Sequence, residues 1–110
     1  MKMLVNGIWT DAILGKFIDV FNPATNVIID TVPRATKEDV EKAVTYAKIG
    51  YKINRATPVY KRAEYLSRTS DLILEHVDDL VELMIAENGK SFYWADYEIR
   101  KTAEIFQNFA

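Results

Sequence analysis

Val27-Ile28-Ile29-Asp30-Thr31-Val32-Pro33-Arg34-Ala35-Thr36-Lys37-Glu38-Asp39-Val40 is the stretch in which the chain changes its hydrophobic period. Up to Val32 the β-formers come in one short run, the signature of a strand. From Thr36 the period becomes 3.6, and Val40, Ala43, Val44, Ala47 and Tyr51 fall on one helical stripe. Thr36 reads as the N-cap, with Glu38 and Asp39 in the first turn where negative charge suits the helix end. Residues 1–35 are therefore expected to be strands and turns, and residues 36–110 helices.

Toward the N-terminus, Met3-Leu4-Val5 and Ile8-Trp9-Thr10 flank Asn6-Gly7, a dipeptide suited to a tight type I′ hairpin. Phe17-Ile18-Asp19-Val20-Phe21 and the Val27–Val32 run form a second pair around Asn22-Pro23. A small antiparallel sheet follows, which needs three or more strands to stand alone. Toward the C-terminus, a helix of about four turns ends near Gly50, and Thr57-Pro58 starts the next, since proline suits a first helical position. Ala63, Leu66, Ser70, Ile73, Leu74 and Val77 continue a helical face; Glu75-His76-Val77-Asp78 offers a bend, with Asp78 able to cap a new segment that runs to Gly89. Ala95, Ile99, Thr102, Phe106 and Phe109 then mark a last helix over about residues 93–110. The fold class is α+β, a small N-terminal antiparallel sheet followed by about four helices. The final helix carries no stop signal, so the end is expected to be a cut.

At 110 residues the chain has room for one domain. Fourteen basic and 16 acidic residues give a net charge of −2 with the signs interleaved, so nothing favours nucleic acid or an anionic membrane. No apolar run approaches the roughly 20 residues that span a bilayer, and the start Met-Lys-Met-Leu-Val lacks the apolar core of a secretory signal. A cytoplasmic protein is expected. With no cysteine there is no disulfide framework, no thiolate metal site and no thiolate nucleophile. The four glycines, Gly7, Gly15, Gly50 and Gly89, are too dispersed for a phosphate-binding Gly-x-Gly-x-x-Gly. His76, the one histidine, reads as a surface residue rather than a metal ligand or triad member. Phe92, Tyr93, Trp94 and Tyr97 cluster as an interface or one wall of a core.

Phe17-Ile-Asp-Val-Phe-Asn-Pro-Ala-Thr25, Val27 to Val40, Lys61-Arg62-Ala63, Glu87-Asn88-Gly89-Lys90 and Glu98-Ile99, in this order and spacing, resemble the N-terminal segment of the NAD(P)-dependent aldehyde dehydrogenases. The resemblance covers essentially the whole chain. It implies a partial aldehyde dehydrogenase fold within a much longer enzyme that oxidises an aldehyde to a carboxylate through a thiohemiacetal and an acyl-enzyme. The nucleophilic cysteine, the general base, the oxyanion-hole asparagine and the cofactor loop of that family all lie downstream, so no catalytic or cofactor-binding residue is assigned. NAD or NADP is implied for the full-length parent and none for this chain. The parent is expected to take an aldehyde substrate and to be a homo-oligomer.

The resemblance further places Tyr97 and Lys101 at the mouth of the aldehyde tunnel, where relatives acting on phosphorylated aldehydes carry a basic residue. It also implies a monovalent cation held by the carbonyls of Val20 and Phe21 with the Glu87 carboxylate, completed by groups outside this segment. Each has a plainer reading: Asn22-Pro23 as a simple turn, Gly89-Lys90 as a helix end with a left-handed cap and a favourable charge, and Lys101 as a solvated helix residue. The Glu87 charge opposes its helix dipole and calls for a positive partner. The wording around Asp19–Thr25 also resembles the lactaldehyde or glycolaldehyde type, and the basic Lys101 the non-phosphorylating glyceraldehyde-3-phosphate type. The alternative to an inactive scaffold fragment is a stand-alone truncated relative that binds itself or a full-length subunit.

Overall fold

The computed structural model describes residues 1–110, which form four strands and four helices. β1 (Met3–Val5) and β2 (Ile8–Thr10) pair antiparallel, Val5 opposite Ile8. Asn6 and Gly7 both have positive φ, 53° and 74°, as a type I′ turn requires. β3 (Phe17–Phe21) and β4 (Ile28–Pro33) form a second antiparallel ladder. Its register shifts after Val20: Val20 faces Asp30 but Phe21 faces Ile28, so Ile29 is an extra residue in the manner of a bulge. The expected order, antiparallel strands and then four helices, is present. The strands make two ladders of two rather than one sheet. Between them the chain turns on itself, with the Gly15 N–H donating to the Ala12 carbonyl at 2.9 Å, so β2 does not run on alongside β3.

α1 (Lys37–Ala56) continues past Gly50, where the sequence pattern ends it. A glycine inside a helix costs only about 1 kcal/mol relative to alanine, which is too little to stop one. Termination comes at Thr57-Pro58, because a proline disfavours the helical region for the residue before it. Pro58 is the N-cap of α2 (Val59–Glu75), one place earlier than the first helical position expected for it. The bend falls at His76, before α3 (Val77–Asn88). The cap expected from Asp78 does not form: His76 holds the N-cap position without a side-chain bond, and Asp78 and Asp79 sit in the first turn. α3 ends on Gly89, in the left-handed region at φ 68°, with its N–H on the Ile85 carbonyl at 2.9 Å. α4 (Phe92–Asn108) closes the chain.

Two compact units divide these elements: Met1–Phe21 with Asn26–Ala56, and Asn22–Thr25 with Thr57–Ala110. In the first, Thr36 and Asp39 form a reciprocal cap. The Asp39 N–H donates to Thr36 Oγ1 at 3.2 Å, and Asp39 Oδ2 accepts the Thr36 N–H at 2.8 Å and its hydroxyl at 3.0 Å. The same carboxylate accepts the Ile13 N–H at 3.2 and 3.3 Å, fastening the turn after β2 to the start of α1. Asp39, Ala43 and Tyr46 border the β1–β2 hairpin. The stripe of Val40, Val44, Ala47 and Tyr51, by contrast, stays exposed.

In the second unit α4 packs against both α2 and α3. Its inner face is Ala95, Ile99 and Ala103, one turn apart and all buried. Val81 packs with Ala95 and Ile99, ringed by Ile73, Val77, Leu80, Met84 and Ile85. The small Ala103 lets α2 approach closely enough for the buried Ser70 hydroxyl to donate to the Ala103 carbonyl at 2.8 Å. Ser67 meets Gln107 at 3.1 Å, so α2 and α4 run antiparallel. Leu74 and Phe109 leave the stripes assigned to them and face solvent, Phe109 because the helix stops at Asn108.

Candidate functional site

Tyr97 and Lys101 sit one turn apart on the outer face of α4, and the structure brings them together in one groove with Trp94, Glu98, Thr102 and Ile105. The inner positions 95, 99 and 103 are taken by the core, so the helical period turns 94, 97 and 101 outward. Tyr93, Trp94 and Tyr97 stack edge-to-face, at 5.2 Å and 78° for the first pair and 6.0 Å and 88° for the second. The result is a stiff aromatic wall beside a basic residue.

Lys101 does not stand free at this wall. Its Nζ donates to Glu104 Oε2 at 2.8 Å, and this bond holds the ammonium above the usual lysine value. Arg100 is paired with Asp96 at 2.8 Å along the neighbouring edge. Lys90 pairs with Glu98, which fixes the segment between α3 and α4 to the α4 side chain bordering the groove. Glu104 is the groove-side residue that the sequence reading passed over; its three-residue offset from Lys101 was the available signal. An anion arriving here competes with Glu104 for one lysine, while the aromatic wall offers apolar contact to whatever carries that anion.

The three groups of the implied cation site are divided between the two units. Val20 and Phe21 lie in β3 at the register shift, where ladder pairing is interrupted. Glu87 lies in the last turn of α3, exposed and without an ion pair, so the positive partner that its position calls for is not among its neighbours. Close by, the two ends of the second unit meet. A Cβ added at Gly89 would lie 3.1 Å from the Pro23 ring, and Asn22 Oδ1 accepts the N–H groups of Ala24 at 2.8 Å and Thr25 at 3.3 Å. His76 Nδ1 lies 3.7 Å from Asp79 on the surface, and no group of three histidine or acidic side chains is placed to hold a metal. The two glycines nearest in sequence, Gly7 and Gly15, are eight residues apart and serve separate turns, so these residues do not fit a dinucleotide pyrophosphate.

The aldehyde dehydrogenase family model matches residues 9–110. Among curated proteins, the chain is 39% identical over 104 residues to a malonate-semialdehyde dehydrogenase of Lacticaseibacillus casei, and 38% identical over 104 residues to malonate-semialdehyde dehydrogenase 2 of Oceanobacillus iheyensis. Each match takes in 94% of this chain and 21% of the relative, so the chain spans about a fifth of the length of the relatives it matches. An NADP-dependent glyceraldehyde-3-phosphate dehydrogenase from Bacillus halodurans, solved with NADP, superposes with a TM-score of 0.95 at 30% identity, over 97% of this chain and 22% of that one. A betaine aldehyde dehydrogenase variant from Staphylococcus aureus, solved with NAD+, shares the fold at a TM-score of 0.92 and 23% identity over the same shares of each chain. The motif order, the fold from β1 to α4 and the family match agree, and the chain belongs to the aldehyde dehydrogenase family.

Proposed function

We propose that residues 1–110 are the N-terminal scaffold of an NAD(P)-dependent enzyme that oxidises a small anionic aldehyde to a carboxylate, and that they are inactive alone. The observation carrying this reading is the α4 groove, where Lys101 lies against the Tyr97 and Trp94 rings. Two kinds of relative bear on the charge. Malonate semialdehyde carries a carboxylate and glyceraldehyde 3-phosphate a phosphate, and both are recognised through full negative charge on a short aldehyde. Lys101 acts there as a steering cation, released from Glu104 as the substrate anion arrives. In the parent, Val20, Phe21 and Glu87 contribute oxygens to a monovalent cation, and the parent works as a cytoplasmic homo-oligomer.

A chimera tests this. Residues 1–110 replace the matched fifth of the Lacticaseibacillus casei dehydrogenase, and aldehyde-dependent NADH or NADPH formation is followed. The chimera is expected to turn over. Lys101→Met should raise KM for anionic aldehydes by roughly five- to tenfold, as loss of about 1 kcal/mol or slightly more implies, with little change for neutral ones. Equal effects on both would return Lys101 to a solvated helix position.

A second reading, a stand-alone module that associates with itself, is favoured by one observation: the apolar stripe of α1 has nothing packed on it.

A further inference from the structure

α1 is 20 residues long, and isolated helices of this length are marginal in water without a packed face. Its hairpin-facing side is covered. The exposed stripe is different in kind: Val40, Val44, Ala47 and Tyr51 recur at steps of four, three and four, the alternation of a two-helix seam. Val40 is 52%, Val44 47% and Tyr51 63% exposed. Along one flank run Glu41, Lys48 and Arg55, one acidic residue followed by two basic ones at seven-residue intervals.

This pattern is self-complementary in one orientation. When a second α1 is laid antiparallel with Val44 opposite the other copy's Ala47, Val40 comes opposite the other copy's Tyr51. Large residues then face small or middle-sized ones, and Glu41 lies beside the other copy's Lys48, twice by symmetry. A parallel pair instead sets Glu41 against Glu41 and Lys48 against Lys48. The surface balance points the same way. The chain exposes 8410 Å², whereas even two independent bodies of half its mass would expose only about 7,500 Å². The excess, on the order of 900 Å², matches the roughly 800 Å² that each partner contributes to a standard stable interface.

We infer that this chain forms a twofold antiparallel dimer through the Val40, Val44, Ala47 and Tyr51 stripe of α1, with Glu41 and Lys48 setting the orientation; this rests on the reading of the chain as a self-associating module. The absence of cysteine makes the test clean, because every introduced thiol is unique. Val40→Cys and Tyr51→Cys chains are mixed and oxidised, and sedimentation is run in parallel across a concentration series. A dimer whose disulfide joins Val40→Cys to Tyr51→Cys, with neither variant crosslinking to itself, is the expected result. Crosslinking is restricted to Cα separations under about 7 Å, and two residues eleven apart on one helix lie about 16 Å apart, so the bond has to be between copies. Glu41→Lys should raise the dissociation constant by roughly three- to fivefold, and adding Lys48→Glu should restore it. A dimer that crosslinks Val40→Cys to itself, or ignores the charge reversal, overturns this geometry while leaving self-association standing. A monomer throughout the series overturns both.

Discussion

Asp39 bears more structure than any other single side chain in the first unit. Its carboxylate is buried and accepts the Thr36 N–H, the Ile13 N–H and the Thr36 hydroxyl. The Thr36 N–H is the largest cause of a carboxyl held below its ordinary value of 3.8; the Ile13 N–H, the Thr36 hydroxyl and the Lys42 charge add to it, and burial opposes it. Because the folded value is depressed, the stability that Asp39 contributes is present above the unfolded carboxylate value and is lost as pH falls through the folded one. Asp39→Asn should therefore lower Tm at pH 7, with the gap from the parent closing as pH falls below 3.8; an equal gap at neutral and acid pH would contradict this assignment. Thr36→Ala, which removes the cap, should cost about 1 kcal/mol in urea unfolding. Thr36 was legible as a cap in the sequence. The bond from Ile13 was not, since it crosses 26 residues and nothing local announces it.

At the scale of elements, α3 shows how a local signal and a distant contact combine. Gly89 at a helix end predicts a left-handed cap, and φ of 68° fulfils it. The sequence did not tell that the Pro23 ring would stand 3.1 Å from the place of a Cβ there. Gly89→Ala therefore meets two penalties, the left-handed backbone and a crowded methyl, and should destabilise by about 1–3 kcal/mol in denaturant titration. Ala at Gly15, also left-handed at φ 58° but in open space, should lose less. Equal losses would mean that the Pro23 contact adds nothing. The ends of α1 and α4 carry a related lesson. Gly50 failed as a stop because one glycine costs less than continuing the hydrogen-bonded turns returns, whereas Thr57-Pro58 removes a donor and forbids the preceding helical conformation.

At the scale of the whole molecule, chemistry is set by which groups the chain holds. With no cysteine, no fitting glycine loop and no assigned general base, the isolated 110-residue chain should give no aldehyde-dependent NADH or NADPH above background. Turnover that survives repurification and is lost with no change to any other component would overturn the scaffold reading. The groove on α4 was only half legible. Tyr97 and Lys101 came from a family resemblance, and the helical period placed them together. The Glu104 partner that tempers the lysine charge depends on side-chain geometry that spacing permits without requiring.

By itself, the sequence determined the change of period at Thr36, the Asn6-Gly7 hairpin, the break at His76 and the cap at Gly89. These are decided by backbone sterics and hydrogen bonds that close within about four residues, so neighbours in the chain suffice to specify them. Tertiary structure alone decided which faces are covered: that Ala95, Ile99 and Ala103 form a core while the equally apolar Val40, Val44 and Tyr51 stripe stays in solvent, and that the strands divide into two ladders. Burial depends on which surfaces meet, and two stripes with the same period look alike until one of them finds another element to pack against.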